Sequence, residues 1–208
     1  MLFRSSYVEW VHSVQDAASI VREYTKWDDN PGSLEHWGES MVRTYHVSNT
    51  PPRLPVVIVA DEDLQEDPIP ADFKGHIPKL GAHTPPAGDI GSVNELARML
   101  VAAENPVLVA GMSARTAKGL DLLIELAELL QCPVIDQKRR MNFPTRHPLN
   151  HTWRNRAVLA DADLIVGLEV WDFYGVVNAQ NGWYKVEPRR LAKPTAKLVS
   201  IAATDVFY

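Results

Sequence analysis

Apolar positions along the chain change their period several times, and each change marks an element. Ser13 can cap a helix carrying Val14, Ala18, Val21 and Tyr24, with Asp16 in its first turn. The segment KWDDNPGS (Lys26–Ser33) breaks that period with Asn-Pro-Gly turn chemistry. Ser33 then caps a second helix in which Trp37, Met41 and Tyr45 recur at every fourth position. NTPPRLP ends it, and PVVIVA follows, a short β-branched run suited to a strand buried on both faces.

From Glu66 to Gly91 no hydrophobic period survives, and five prolines and four glycines read as an extended connector. Beyond it the pattern is cleaner. Ser92 and Glu95 form an S-x-x-E capping box that opens a helix through VNELARMLVAAE, stopping at Asn105-Pro106. PVLVAGM predicts a strand, and TAKGLDLLIELAELL predicts a helix with Leu120, Leu123, Ile124, Ala127 and Leu130 on one face. PVIDQ, DLIVGLEV and AKLVSIA predict three more strands, with a short helix at RNRAVLAD before the middle one. Apolar strands alternating with helices indicate βαβ units around a parallel sheet with right-handed crossovers, a doubly wound, Rossmann-like α/β layout. The first stretch offers one convincing strand for two helices, and the last strand has no helix after it. The expectation is a piece of something longer.

Composition narrows the class. With 46% hydrophobic and 23% charged residues, the chain has the make-up of a globular protein. A net charge of −5 provides no basic field for nucleic acid or an anionic membrane. A single cysteine, Cys132, leaves no internal disulfide and fits a reducing compartment. No apolar run approaches a membrane span, and the amino end lacks a signal-peptide layout, so the location reads as cytoplasmic.

Several phrases in order carry a resemblance: HSVQDAASIVREYTKWDDNPGS, TPPRLPVVIVADEDLQE, NPVLVAGMSARTAKGLDLLIELAELLQCPVIDQ, MNFPTRHPLN and ADADLIVGLEV. The chain resembles thiamine diphosphate-dependent enzymes of the acetolactate synthase type, along nearly its whole length. The resemblance implies that residues 1–67 are the C-terminal part of an α/β pyrimidine-binding domain. It further implies a Pro/Gly-rich linker over 68–91 and a Rossmann-like central domain, incomplete at its C-terminus, over 92–208. Family members activate the cofactor with a glutamate in the first half of the pyrimidine domain and hold Mg²⁺ through a GDG…N motif in a third domain. Neither falls within these residues, so the implied parent decarboxylates or carboligates a 2-keto acid while this chain alone is silent. A homo-oligomer is implied as well. GDIG (Gly88–Gly91) is a decoy for the metal motif, because Ile90 replaces the second glycine and the segment lies in the connector.

Candidate chemistry follows from the strand ends. The acids of ADEDLQED invite a cation, but a charge run entering a connector offers no convergent oxygens. Asp61 instead caps the short turn through Leu64, with Glu62, Asp63, Glu66 and Asp67 in solvent. AGMSARTAKG follows a strand as a phosphate-binding turn does, with Gly111, Ser113 and Arg115 as its candidate ligands. Lacking GxGxxG, the turn reads as vestigial and empty. In the resembled family the central domain binds FAD in the acetolactate synthase branch, and an adenine nucleotide such as ADP or nothing in others. QKRRMNFPTRHPLN gathers Lys138, Arg139, Arg140, Arg146 and His147 beyond a strand. It either faces an anionic cofactor, chiefly through Arg140, or is a solvated loop. GLEVWDFYG ends a strand so that Glu169, Trp171 and Asp172 point from the sheet's carboxyl edge toward the same crevice, where Trp171 could stack on a ring or simply cover the core. His12, His36, His46 and His151 show no metal-ligand spacing with Cys132, which reads as a small buried hydrophobe. A stand-alone FAD- or ADP-binding module is the rival reading, and a truncated frame with no independent role is the third.

Overall fold

The computed structural model describes residues 14–81, 87–137, 142–179 and 188–203. The chain divides into two compact units, Met1–Pro85 and Pro86–Tyr208.

The first unit is a small βαβ arrangement. Strand β1 (Trp27–Asp29) pairs in parallel with β2 (Val56–Ile58), and helix α1 (Leu34–Asn49) connects them. Ser33 caps α1 as its sequence position predicts, accepting the His36 N–H at 3.2 Å. At the other end the Lys26 ammonium donates to the carbonyls of Val47 and Thr50, at 3.1 and 2.8 Å, where a cation complements the helix terminus. A short helix α2 (Glu62–Glu66) follows β2.

Four expectations for this unit are corrected. Between Ala17 and Tyr24 the chain forms two 3₁₀ turns rather than one α-helix. Ser13 lies outside the described residues, and Asp16 is the cap, accepting from the Ser19 N–H at 3.1 Å. The Arg22 guanidinium bridges Asp16 and Asp28 at 2.7 and 2.8 Å, folding this segment back on β1. Its hydrogen bonds hold both carboxyls below the ordinary carboxylate range. Trp27–Asp29, assigned to a break, is a strand. Met41 and Tyr45 are exposed at 48% and 60%, whereas Ser40 is buried and donates to the Asp29 carboxylate. The buried position of α1 is thus Ser40, while Trp37 is half-buried and Met41 and Tyr45 lie exposed. β2 is half-buried throughout, not covered on both faces.

The turn after β2 also differs in detail. Asp61 caps it through its main-chain carbonyl, which accepts the Leu64 N–H at 3.1 Å, while its buried carboxylate meets Asn30 at 3.5 Å. Glu62 and Asp63 are half-buried, and Glu66 and Asp67 are exposed.

The second unit carries the predicted sheet. Helix α3 (Ile90–Ala102) leads into β3 (Pro106–Ala110), α4 (Ala117–Leu130) and β4 (Val134–Asp136). Helix α5 (Asn155–Asp161), β5 (Leu164–Leu168) and α6 (Phe173–Val177) follow. A short antiparallel pair, β6 (Asn178–Ala179) with β7 (Arg189–Arg190), precedes β8 (Lys197–Ile201). The main sheet is parallel throughout, in the order β4-β3-β5-β8.

All five residues of β3 are buried, because helices cover both faces of the sheet. Leu108 and Ala110 pack with Leu96 and Leu100 of α3 and Leu123 and Ala127 of α4. Val107 and Val109 pack on the opposite face with Val158, Leu159, Phe173 and Val177 of α5 and α6. Each leucine, valine or phenylalanine among them contributes about 1.5–3 kcal/mol on burial.

Three details locate the helix ends. α3 starts earlier than its capping box predicts, because Asp89 accepts the Ser92 N–H at 2.7 Å. The aspartate of GDIG is thus a helix cap, its carboxyl held low by that hydrogen bond. α4 starts at the predicted place, with Thr116 accepting from the Gly119 N–H at 3.0 Å. It ends on Gln131 in the left-handed conformation, at φ 49°.

Asp163 joins the sheet's amino edge to the chain entering β3. Its carboxylate accepts the N–H groups of Glu104 and Asn105 at 2.8 and 2.9 Å. Desolvation raises its pKa, but these bonds and the N–H groups of Asp163 and Leu164 outweigh it and lower the net value. A depressed folded pKa means stability present above the unfolded carboxylate value of about 3.9 and lost as pH falls through the folded one. Asp163→Asn should therefore cost about 1 kcal/mol in urea unfolding at pH 7. The variant should also show a smaller decline in stability below about pH 4 than the parent. Burial pushes the Cys132 thiol up to about 11, so a disulfide reagent at neutral pH should modify it only after unfolding.

Candidate functional site

Strand order reverses at β3: the chain leaves it through α4 to β4 on one side and returns through α5 to β5 on the other. Ligands of doubly wound sheets sit at the carboxyl ends of strands beside such a reversal. A crevice of about 620 Å³ opens there. Gly111 and Met112 after β3 and Gln137 after β4 form one wall. Glu169, Trp171 and Asp172 after β5 form another, and Asn155, Arg156 and Tyr174 close it on the side of α5 and α6.

The wall geometry rests on one close approach. The Gly111 N–H donates to Leu168 O at 2.8 Å, and the Met112 N–H donates to Glu169 O at 2.9 Å. These bonds press the Gly111 Cα against the Glu169–Val170 peptide. A Cβ at position 111 would lie 2.7 Å from the Val170 Cα and closer still to the Glu169 carbonyl oxygen. Glu169 turns there with φ 51°, in the left-handed region, and its own N–H donates to Ile201 O at 2.7 Å. The turn lets Phe173 fold back onto the sheet over Gly167, where a Cβ would stand 2.8 Å from the ring.

The residues of the first βα turn are placed differently from a phosphate cradle. Gly111 lines the crevice, but its N–H is engaged with β5. Arg115 donates from Nε to Met112 O at 2.6 Å and pairs with Glu169 at 3.4 Å. Ser113 does not line the crevice; its hydroxyl is buried with no hydrogen-bond partner among the described residues. The first turn of α4, whose N–H groups would receive a diphosphate, does not line the crevice either. The crevice runs to the other face of the sheet. Among the described residues, the N–H groups of this turn are thus not turned toward the crevice as those of a phosphate-binding turn are.

Trp171 is half-buried in the wall, beside the exposed Tyr174. Asp172 caps α6, accepting the Gly175 N–H at 2.7 Å. Arg140 lies outside the described residues, together with Lys138 and Arg139. Several of the described residues of that loop are held by local contacts. Asp136, buried at the end of β4, accepts the N–H groups of Asn142 and Phe143 at 3.0 and 3.2 Å, so a buried carboxylate gathers the returning chain. Arg146 is exposed, and His147 pairs through Nε2 with Glu128 of α4 at 3.2 Å, its ring edge on Phe143.

Arg156, Asn155, Gln137 and Tyr174 complete the walls without having stood out in the sequence. Arg156 reads as part of a short helix, and α6, at five residues, is too short to leave a period. Among the described residues, no group of three or more His, Cys, Asp or Glu side chains is placed to hold a metal ion. Nor is any helix among them long and apolar enough to cross a membrane.

Residues 93–202 match the family model described as thiamine pyrophosphate enzyme, central domain. The chain belongs to the thiamine pyrophosphate enzyme family. A candidate thiamin diphosphate-dependent enzyme from Mycobacterium smegmatis superposes with a TM-score of 0.68 at 24% identity, over 97% of this chain and 39% of that one. Benzoylformate decarboxylase from Polynucleobacter necessarius gives 0.69 at 20% identity, over 97% and 38%. The thiamine diphosphate-dependent 4-hydroxybenzoylformate decarboxylase of Rhodococcus jostii RHA1 gives 0.63 at 22%, over 96% and 38%. The likeness is one of fold, and this chain spans about two-fifths of the length of these structures.

The Gly111 contact makes a direct prediction. Gly111→Ala forces a methyl into main-chain atoms that no rotamer change can move. It should cost about 3 kcal/mol, the upper part of the range for overpacking, read as a lower denaturant midpoint.

Proposed function

We propose that this chain is the structural middle of a thiamine diphosphate-dependent enzyme that acts on a 2-keto acid. The observation that carries the reading is the family match over 93–202, joined to a fold likeness running along 97% of the chain. In this reading residues 1–67 are the C-terminal part of the pyrimidine-binding domain, 68–91 the linker and 92–208 the central domain. The βαβ geometry of the first unit and the parallel sheet of the second support that division.

By resemblance the reaction is decarboxylation, followed by carboligation to an acceptor or by protonation, of the acetolactate synthase-like type. Two of the structural neighbours are named as decarboxylases of benzoylformate and 4-hydroxybenzoylformate. Both kinds of reaction begin when a 2-keto acid loses CO₂, which supports the coarser substrate class. Thiamine diphosphate supplies the carbanion-stabilising centre when bound. The glutamate and the GDG…N motif that the resemblance assigns to the cofactor and Mg²⁺ are not among these 208 residues. No catalytic step is therefore assigned to this chain. Its part is to set the sheet, the connector and a surface for a homo-oligomer in the cytoplasm. The rival, an FAD- or ADP-binding module, draws support from the 620 Å³ crevice and its aromatic wall. The engaged donors of the first βα turn count against it.

The reading frame around these residues in the source DNA tests the proposal. In-frame continuation into a pyrimidine-domain glutamate upstream and GDG…N downstream is expected; start and stop codons closely bracketing the 208 residues would overturn it. The 208-residue chain given thiamine diphosphate, Mg²⁺ and benzoylformate or pyruvate should release no CO₂ above the protein-free rate. Saturable turnover would contradict its assignment as scaffold.

A further inference from the structure

The amino edge of the sheet, away from the crevice, carries a second depression. A groove of about 670 Å³ lies where β3 and β4 begin, between the carboxyl ends of α3 and α4 and one side of α5. Leu100 and Val158, both buried, form its floor. On its rim Val101 and Leu129 are 81% and 79% exposed, and Trp153 beside it is 81% exposed. Large apolar side chains left in water around one groove mark an interaction surface.

Charge is sorted along this groove. Arg154, Val158 and Asp161 all line it from α5, and at about 1.5 Å of rise per residue the base stands about 10 Å from the acid. His151 joins Arg154: the Arg154 N–H donates to His151 O at 3.0 Å across a 3₁₀ turn, where side chains three apart eclipse. Glu104 joins Asp161, since its N–H is held by Asp163, two residues on. Lys193 donates to Asp161 O at 2.7 Å but does not line the groove. Among the described residues, neither Arg154 nor Asp161 has an ion-pair partner. Their order is also the reverse of what a helix favours, which is acid at its amino end and base at its carboxyl end. The pattern therefore does not serve α5 itself.

We propose that this groove is a docking face for a second copy of the chain, paired antiparallel about a two-fold axis. Charge complementarity selects that partner. A groove basic at one end and acidic at the other matches itself when turned end for end, so Arg154 meets the partner's Asp161 at two places at once. Between those places Val101, Leu129 and Trp153 of both copies leave water. The proposal rests on the homo-oligomer of the reading above and gives it a place. Its failure would leave the thiamine diphosphate reading intact, because the reading frame tests that and this face does not.

Sedimentation velocity of the 208-residue chain over about 1 to 100 μM, a range that brackets a modest pairing, tests it. The parent should pass from monomer to dimer. Arg154→Asp and Asp161→Arg each set like charges together at both places, and each should weaken pairing at least about tenfold. The chain carrying both changes restores opposite charges and should pair like the parent. Both substitutions agree with the dipole of α5, so circular dichroism should show an unchanged fold. Trp153→Ser, which touches no charge, should weaken pairing as well. A parent that stays monomeric would overturn the proposal and leave the face to a different protein. A dimer indifferent to the single changes would overturn it too, as would a doubly changed chain that is folded but fails to pair.

Discussion

At the carboxyl edge of the sheet, the main chain of Gly111 lies directly against the peptide joining Glu169 to Val170, and two short hydrogen bonds hold it there. No residue with a Cβ could make that approach. The contact joins the ends of the two central strands, which in a doubly wound sheet are the strands beside the ligand crevice. It also decides the shape of everything that follows β5. With Glu169 forced through a left-handed turn, the chain reverses at once, and Phe173 drops onto the sheet in the notch above Gly167. α6 and the β6–β7 pair are placed by that reversal.

The same contact separates fold from ligand chemistry in this family member. A phosphate-binding turn leaves its N–H groups open toward the helix that follows. Here two of them are joined to Leu168 at the end of β5 and to Glu169 just after it, and the crevice opens toward α5 and α6 rather than toward α4. The glycine remains indispensable, but for packing. A glycine after the first strand is therefore ambiguous until its N–H partners are known.

The periodicity of the second half made its sheet legible, because long apolar helices and fully buried strands leave strong, distinct periods. Leu123 and Ala127 sit on the buried face of α4 as their spacing implies, and Thr116 caps it. The losses came where a few polar contacts outweigh periodicity. Arg22, gripping Asp16 and Asp28, turns a helical pattern into two 3₁₀ turns. On α1 the buried residue is Ser40, bonded to Asp29, whereas Met41 and Tyr45 of the apolar pattern are exposed. β1 was hidden because three residues, two of them acidic, are too few for a strand signal and were followed by strong turn chemistry. At the candidate site, Gly111, Trp171 and Asp172 lie at the carboxyl edge of the sheet, as their positions just after predicted strands imply. Which hydrogen bonds they make was not legible, since those depend on tertiary register between β3 and β5.

Amide hydrogen exchange at Gly111 and Met112, followed residue by residue, probes the joint between the strand ends directly. Hydrogen-bonded to Leu168 and Glu169, both amides should exchange as slowly as those of Val109 and Ala110 inside the sheet, opening only with the whole unit. Exchange at the rate of an exposed loop would mean that these N–H groups are open to solvent and ligand, and that the closed first turn described for this chain is wrong.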